Sequence, residues 1–503
     1  MKTTGLNLKS LTILLLAGGI MVATPSCKKK KGCTDPKAKN YNADATKDDG
    51  SCEYANPTPS AKQIVEVSGN VATTTWTKDK IYRLNGFVRV QNGSVLTIEA
   101  GTIVFGDFET KGTLIIQKGG QIIANGTSSE PIIMTSEKAP GLRQPGDWGG
   151  LVICGNALNN VPGGEAELEG GYGAFHGGTN PADNSGIIRY VQINFAGIPI
   201  NPNEEVNSLT MGSVGSGTVI ENVLCAYGLD DAFEWFGGSV NCKNLVAYRG
   251  LDDDLDIDLG YNGYVQFALC IRGASLADQS GSNGFEVDND GSGSNNTPFT
   301  SGTFSNITVI GPKKERSTAI SLQFQNAAQL RRNSKLKIHN SFLTGYPNGI
   351  FIDGAGAAAN ATANDLVVRN TVIAGVEHWG GNGYGSAGTI FTGAPANGAQ
   401  HPNNPRGEAL KTNEASFDVT AWFNTPAFGN SALDKWQDAG IDPTIFDLGT
   451  PNVLPQAGSI LLSGANFTGL PAFFQQVNYR GAFGTTNWTQ GWVDWNCALT
   501  TYN

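Results

Sequence analysis

The chain has 503 residues, a formal net charge of −10, 66 glycines and only 16% charged residues. An acidic, sparsely charged chain is a poor partner for nucleic acid and leaves cations, neutral glycans or other proteins. So much glycine with so few helix-favouring charges excludes a helix-rich fold and points to short strands separated by tight turns.

Residues 1–26 read as an export signal, with Lys2 and Lys9 before the apolar run LTILLLAGGIMVA (11–23) and then TPS. The run is too short for a permanent transmembrane helix. Its end resembles a bacterial lipobox, with a small residue before Cys27. That resemblance implies cleavage there, lipidation of Cys27 (palmitate) and attachment to a membrane as a lipoprotein. Residues 27–31 are then a basic spacer, unlike the acidic surface-export signals of some Bacteroidetes lipoproteins. The cell-surface and periplasmic faces both stay open.

Residues 32–54, GCTDPKAKNYNADATKDDGSCEY, form a miniature module. Cys33 and Cys52 bracket it and are expected to pair in an oxidising compartment. The module resembles a short motif of secreted Bacteroidetes proteins. Its Asn42, Asp44, Asp48 and Asp49 offer oxygens of the kind calcium takes, with a plain stapled spacer as the alternative. Residues 55–63, around NPTPS, read as a linker.

Residues 64–407 carry short aliphatic strands punctuated by Gly, Asn-Gly and Lys-Gly-Gly turns, with no helical period. GTLIIQKGGQIIANGTSSEPIIMTSEK (112–138) resembles the opening coils of right-handed parallel β-helices. The expected fold is therefore all-β, a solenoid that lengthens without widening. A glycine-rich loop, 165–184, interrupts it. Asn222, Asn244, Asn306, Asn340 and Asn370 recur at similar places and are expected to stack as a hydrogen-bonded ladder. Cys225, Val246 and Cys270 occupy equivalent positions and read as small core residues. Cys154, Cys242 and Cys497 remain, so these five cysteines cannot all pair with one another.

The chemistry concentrates between residues 228 and 290. AYGLDDAFEWFGG and AYRGLDDDLDIDLG begin at Ala226 and Ala247, an apparent offset of 21 residues. In DLDIDL the alternation sends Leu255, Ile257 and Leu259 to one face and Asp254, Asp256 and Asp258 to the other. Aligning SGSNGFEVDND places Glu234, Asp256 and Glu286 in one outer column and Asp258 beside Asp288. Carboxylates on strands ~4.8 Å apart repel, so they require a cation, basic partners or raised pKa values. Calcium on Glu234, Asp256, Asp258, Glu286 and Asp288 is the leading reading, ahead of a salt-bridged face and then of an active centre. Arg249 and Arg272 are the basic partners within reach of these acids.

A long Gly/Asn/Pro loop (379–407) precedes residues 408–503, an aromatic-rich segment expected to cap the solenoid, with Trp488, Trp492 and Trp495 as packing residues and a ligand platform as the alternative. Trp235 and Phe236, with Trp379 and Tyr384, are the sugar-stacking candidates, although period two turns Trp235 inward. The four histidines lack metal-ligand spacing.

DDAFEWFGGSV, AYRGLDDDLDIDLGYNGYVQF, SGSNGFEVDND and the closing YRGAFGTTNWTQGWVDW together resemble a family of Bacteroidetes outer-membrane lipoproteins and are similar to a spirochaete outer-membrane lipoprotein. The resemblance implies a β-helix held at the outer membrane and no particular reaction; some such lipoproteins look like accessories of TonB-dependent transporters. β-Helical pectate lyases use aspartate-bound calcium and an arginine base, and polygalacturonases use aspartates, but the Gly-His-Gly and Arg-x-Lys motifs of the latter are absent here. The expected function is a lipid-anchored, non-catalytic binding or accessory protein for a glycan, an envelope protein or a TonB-dependent transporter. A polysaccharide lyase or glycoside hydrolase using the acids of 230–290 is the alternative.

Overall fold

The computed structural model describes residues 30–53, 62–375 and 409–503, apart from 37, 203 and 316. Cys27, Trp379, Tyr384, His378 and His401 lie outside the described residues. The chain divides into two compact units, Met1–Ala61 and Lys62–Asn503. In the first, Cys33 and Cys52 form the expected disulfide. The oxygens expected to bind calcium there serve local structure. Asn42 Oδ1 accepts from the Asp44 N–H, Asp48 Oδ1 from Gly50 and Asp49 Oδ1 from Ser51, while Asp44 pairs with Lys30.

In the second unit, 26 strands join edge to edge in a long, parallel ladder, the β-helix expected from the sequence. Sheet A carries Leu209–Gly212, Phe233–Phe236, Leu255–Asp258, Phe285–Val287, Asn326–Leu330 and Asn348–Ile352. Sheets B and C are the two halves of longer strands, among them Val219–Ala226, Asn241–Tyr248, Tyr264–Ile271 and Thr303–Ile310. Between the halves sits one residue with left-handed backbone: Tyr190, Asn222, Asn244, Phe267, Asn306, Asn340 or Asn370. Asparagine tolerates positive φ better than other residues with a side chain, which explains its recurrence. Inward-facing residues such as Leu209, Phe233, Leu255 and Phe285 are fully buried and form one core along the coils. Each such side chain contributes about 1.5–3 kcal/mol.

The coil-to-coil register corrects the offset of 21 residues. Cys225 lies against Ala247 and Ala226 against Tyr248, a step of 22. Cys225 therefore stacks on Ala247 and then Cys270, while Val246 belongs to the neighbouring outward column with Leu224 and Leu269. One residue of slip inverts a strand's faces. Cys154, Cys225, Cys242, Cys270 and Cys497 are all free and buried, and burial pushes the Cys154 and Cys242 thiols up to about 12.

The C-terminal region is not a single cap. The last coil is closed by the helix Val419–Phe423, whose Asp418 N-cap accepts the Ala421 N–H, and by buried Trp422, Phe423 and Phe428. Trp422 donates to the Ala361 carbonyl of the helix Ala355–Ala363. Residues 434–503 then return along the outside of sheets B and C as a strap. Trp488, Trp492 and Trp495 belong to this strap and pack on the flank of the solenoid: Trp492 meets Tyr190 and Trp495 meets Tyr248. The strap offers the outward residues Leu224, Val246, Leu269 and Ile310 an apolar cover.

Candidate functional site

Sheet A turns its polar face outward, and there the acids gather. Thr210, Glu234, Asp256, Glu286 and Gln329 are register partners on consecutive strands. Phe236 pairs with Asp258 in the next column, which Asp288 continues. Between these columns Trp235, Ile257 and Val287 point inward. Trp235 is completely buried among Phe233, Tyr261 and Phe304, which removes it from the sugar-stacking candidates; Phe236 stays partly exposed.

Before each strand runs a turn whose side chains form a ladder along the solenoid. Asp231 Oδ1 accepts the Asp253 N–H at 2.8 Å, Asp253 accepts the Asn283 N–H, Asn283 Oδ1 accepts from both nitrogens of Asn326, and Asn326 Oδ1 accepts from Asn348. This is the stacked ladder expected at Asn222, Asn244, Asn306, Asn340 and Asn370, built at another corner. The two lowest rungs are aspartates, and they bring Asp230 and Asp252 with them. Two sets of carboxylate oxygens lie within 4.8 Å of one another: Asp230, Asp231 and Asp252, and Asp231, Asp253 and Asp256.

Burial dominates the electrostatics. It raises the pKa of Asp231, Glu234, Asp252, Asp253 and Asp256 well above the carboxylate range, with mutual repulsion adding to it. Asp230 and Asp258 rise to about 7 for the same reasons, the former helped by Glu205 and Glu169, the latter by Asp288. Asn207 donates to Glu234. Asp252 Oδ1, shut away from solvent, has no hydrogen-bond partner.

The basic partners are not the expected ones alone. Arg272 is consumed by a fully buried pair with Asp254 at 3.1 Å, which Tyr346 also contacts at 3.2 Å. Arg249 donates to the Tyr227 hydroxyl at 2.8 Å and stacks on its ring, away from the acids. Arg331 pairs with Glu286 and with Asp288 at 2.8 Å, and Arg332 reaches Asp288 at 2.6 Å. Of the five acids expected to hold calcium, Glu286 and Asp288 are therefore neutralised by arginine. The oxygens free to share an ion are shifted toward the turn, to Asp230, Asp231, Asp252, Asp253 and Asp256. Sequence reasoning missed both arginines, although QLRR (329–332) lies one coil above Glu286 in the alternating pattern.

Beside the acids opens a trough of about 640 Å³ lined by Asn283, Glu286, Gln325, Gln329, Arg331 and Asp353. Amides, carboxylates and a guanidinium side by side offer donors and acceptors in the density that polyhydroxylated ligands require. The glycine-rich loop covers the earlier coils of the same sheet, where Leu168, Tyr172 and Ala174 pack on Ile115 and Val152. His176 is buried there with Nδ1 2.8 Å from Ser213 Oγ, and burial lowers its pKa to about 4.

A family model described as a pectate-lyase-like beta helix domain matches residues 69–408. No curated protein and no solved structure matches the chain.

Proposed function

The chain belongs to the pectate-lyase-like β-helix family, and from that premise we propose that it is a carbohydrate-binding protein of the cell envelope, carried on a lipid at Cys27 at the outer membrane. The supporting observation is the 640 Å³ trough, where Arg331, Gln325, Gln329 and Asp353 stand beside the acid column. A glycan lying along sheet A exchanges water for side chains already held by their neighbours, Gln329 by Asn326 and Asp353 and Arg331 by Glu286 and Asp288, so little ordering cost opposes binding. Calcium suits the adjoining carboxylates, because the donors are all oxygen and Asp252 Oδ1 lacks a partner. Asp231, Asp253 and Asp256 would hold it, with Asp230 and Asp252 at the second position. A transporter or other envelope protein as the protein's partner is compatible with this role.

The test is calorimetric titration of the lipid-free protein with acidic and neutral polysaccharides, with and without calcium. Binding that Arg331→Ala weakens at least tenfold is the expected result; no binding to any polysaccharide sinks the proposal. Catalysis is the second reading, favoured by the Asp258 and Asp230 carboxyls with pKa values near 7, where an acid–base group works best. Depolymerisation that is abolished by Asp252→Ala with Asp256→Ala would establish it over simple binding.

A further inference from the structure

The trough runs along the solenoid, its walls taken from three consecutive coils: Asn283 and Glu286, then Gln329 and Arg331, then Asp353. Strands ~4.8 Å apart make this a groove of about 10 Å along the axis, so that a chain of sugars can follow it. Of the described residues lining it, none is aromatic. Recognition there rests on hydrogen bonds and charge, without ring stacking.

Its charges already engage one another. Arg331 pairs with Glu286 and, at 2.8 Å, with Asp288, and this group lies mostly out of water, with side-chain exposures of 22%, 16% and 7%. Arg332 reaches Asp288 at 2.6 Å. Asp353 accepts from Gln329 at 3.0 Å and from Asn413. Behind the rim, Asp278 accepts from the Ser280 hydroxyl and Asp290 from that of Ser292, both at 2.7 Å. Five carboxylates therefore stand against two guanidinium groups, and each of the five already accepts from a donor of the chain. The helix Ala355–Ala363 begins at the same wall without a side-chain cap, but the charge of a helix end, about +0.5, does not offset that excess.

We propose that the trough selects uncharged glycans and turns away uronates and other acidic ones, an inference that rests on the carbohydrate-binding reading and narrows it. A carboxylate entering the trough meets an excess of negative charge and finds both guanidinium groups paired. Taking Arg331 for itself would strand Glu286 and Asp288 as half-shielded anions. An ammonium fares little better, because each carboxylate is already engaged by a donor of the chain. A hydroxyl requires no such exchange: it donates to a second lone pair of a carboxylate that already accepts one bond, and it accepts from an amide or guanidinium N–H. Specificity then comes from what the site repels as much as from what it holds.

The test is calorimetric titration of the lipid-free protein with cellohexaose, xylohexaose and mannohexaose against hexagalacturonate and a glucosamine hexamer, each with calcium and with chelator. At least one neutral hexamer should bind at least tenfold tighter than either charged one in both conditions, with an affinity that changes less than about twofold between about 0.05 M and about 0.5 M NaCl. Glu286→Gln with Asp353→Asn removes two carboxylates and releases Arg331 from one partner, so a variant of unchanged melting temperature should bind hexagalacturonate at least tenfold better than the native chain. The salt series needs no variant and decides the question if the double substitution folds poorly. The selectivity is overturned, with a carbohydrate site still standing, if a charged hexamer binds as tightly as the best neutral one, if neutral binding weakens with salt, or if the folded variant gains nothing for hexagalacturonate. Binding of no hexamer at all defeats the carbohydrate reading itself, and the selectivity falls with it.

Discussion

At the scale of single residues, the protein stores protons. Asp230 and Asp258, raised from 3.8 to about 7, remain protonated in the fold at pH values where the unfolded chain has released them. Between about pH 4 and pH 7 the native state binds more protons than the unfolded one, so stability falls as pH rises through that window. His176 and His339, held neutral by burial with pKa values of about 4, act oppositely below about pH 6.5. A melting-temperature series without divalent ions should therefore be higher at pH 6 than at pH 8, falling by several degrees across that interval. Adding calcium at pH 8 should restore the loss and flatten the profile, since the ion binds deprotonated carboxylates. A profile that rises steadily to pH 8 without calcium would refute the assignment of buried, repelling acids.

At the scale of elements, what could be read from the sequence depended on what the pattern records. Period-two alternation located Glu234, Asp256 and Glu286 in one column because burial of Leu255, Ile257 and Val287 leaves them no other face. The ladder escaped notice because its rungs mix aspartate with asparagine and step by 22, 30, 43 and 22 residues as loops of different length intervene. Arg331 escaped because NAAQL (326–330) lacks the aliphatic signature of a strand, although its neighbours impose one. The asparagines at 222, 244, 306, 340 and 370 were visible, but a repeated residue type does not say which groups it faces. Their position at the bend sets a clear expectation for Asn340. Asn340→Ala loses positive-φ tolerance and the strap contact, costing about 2 kcal/mol together, whereas Asn340→Gly recovers the backbone part. Urea midpoints of the two variants decide this, and equal midpoints would assign the whole effect to the hydrogen bonds.

At the scale of the whole molecule, the strap divides the solenoid into a covered flank and an open face. Residues 434–503 pack over Leu224, Val246, Leu269, Ile271 and Ile310 and help to bury them. A chain ending at residue 433 retains the coils and the aromatic closure around Trp422, and exposes that apolar column. It should bind 8-anilinonaphthalene-1-sulfonate strongly and elute as aggregates in size-exclusion chromatography, whereas the full chain does neither. A monomeric truncated chain without dye binding would show the strap to be dispensable. On sheet A the glycine-rich loop covers only the earlier coils, and the trough around Gln329 and Arg331 stays open to ligands.

The strap also ties a late part of the chain to an early one. Arg143, in an early coil, donates to the carbonyls of Cys497 at 2.7 Å and Thr500 at 2.8 Å, bridging 354 and 357 residues of chain. A solenoid assembles from neighbouring coils and can begin while its C-terminal part is still emerging. This latch cannot close until residues 497–500 have been made. A copy cut before residue 434 therefore displays its apolar flank to proteases and chaperones, whereas one that carries residues 434–500 covers it.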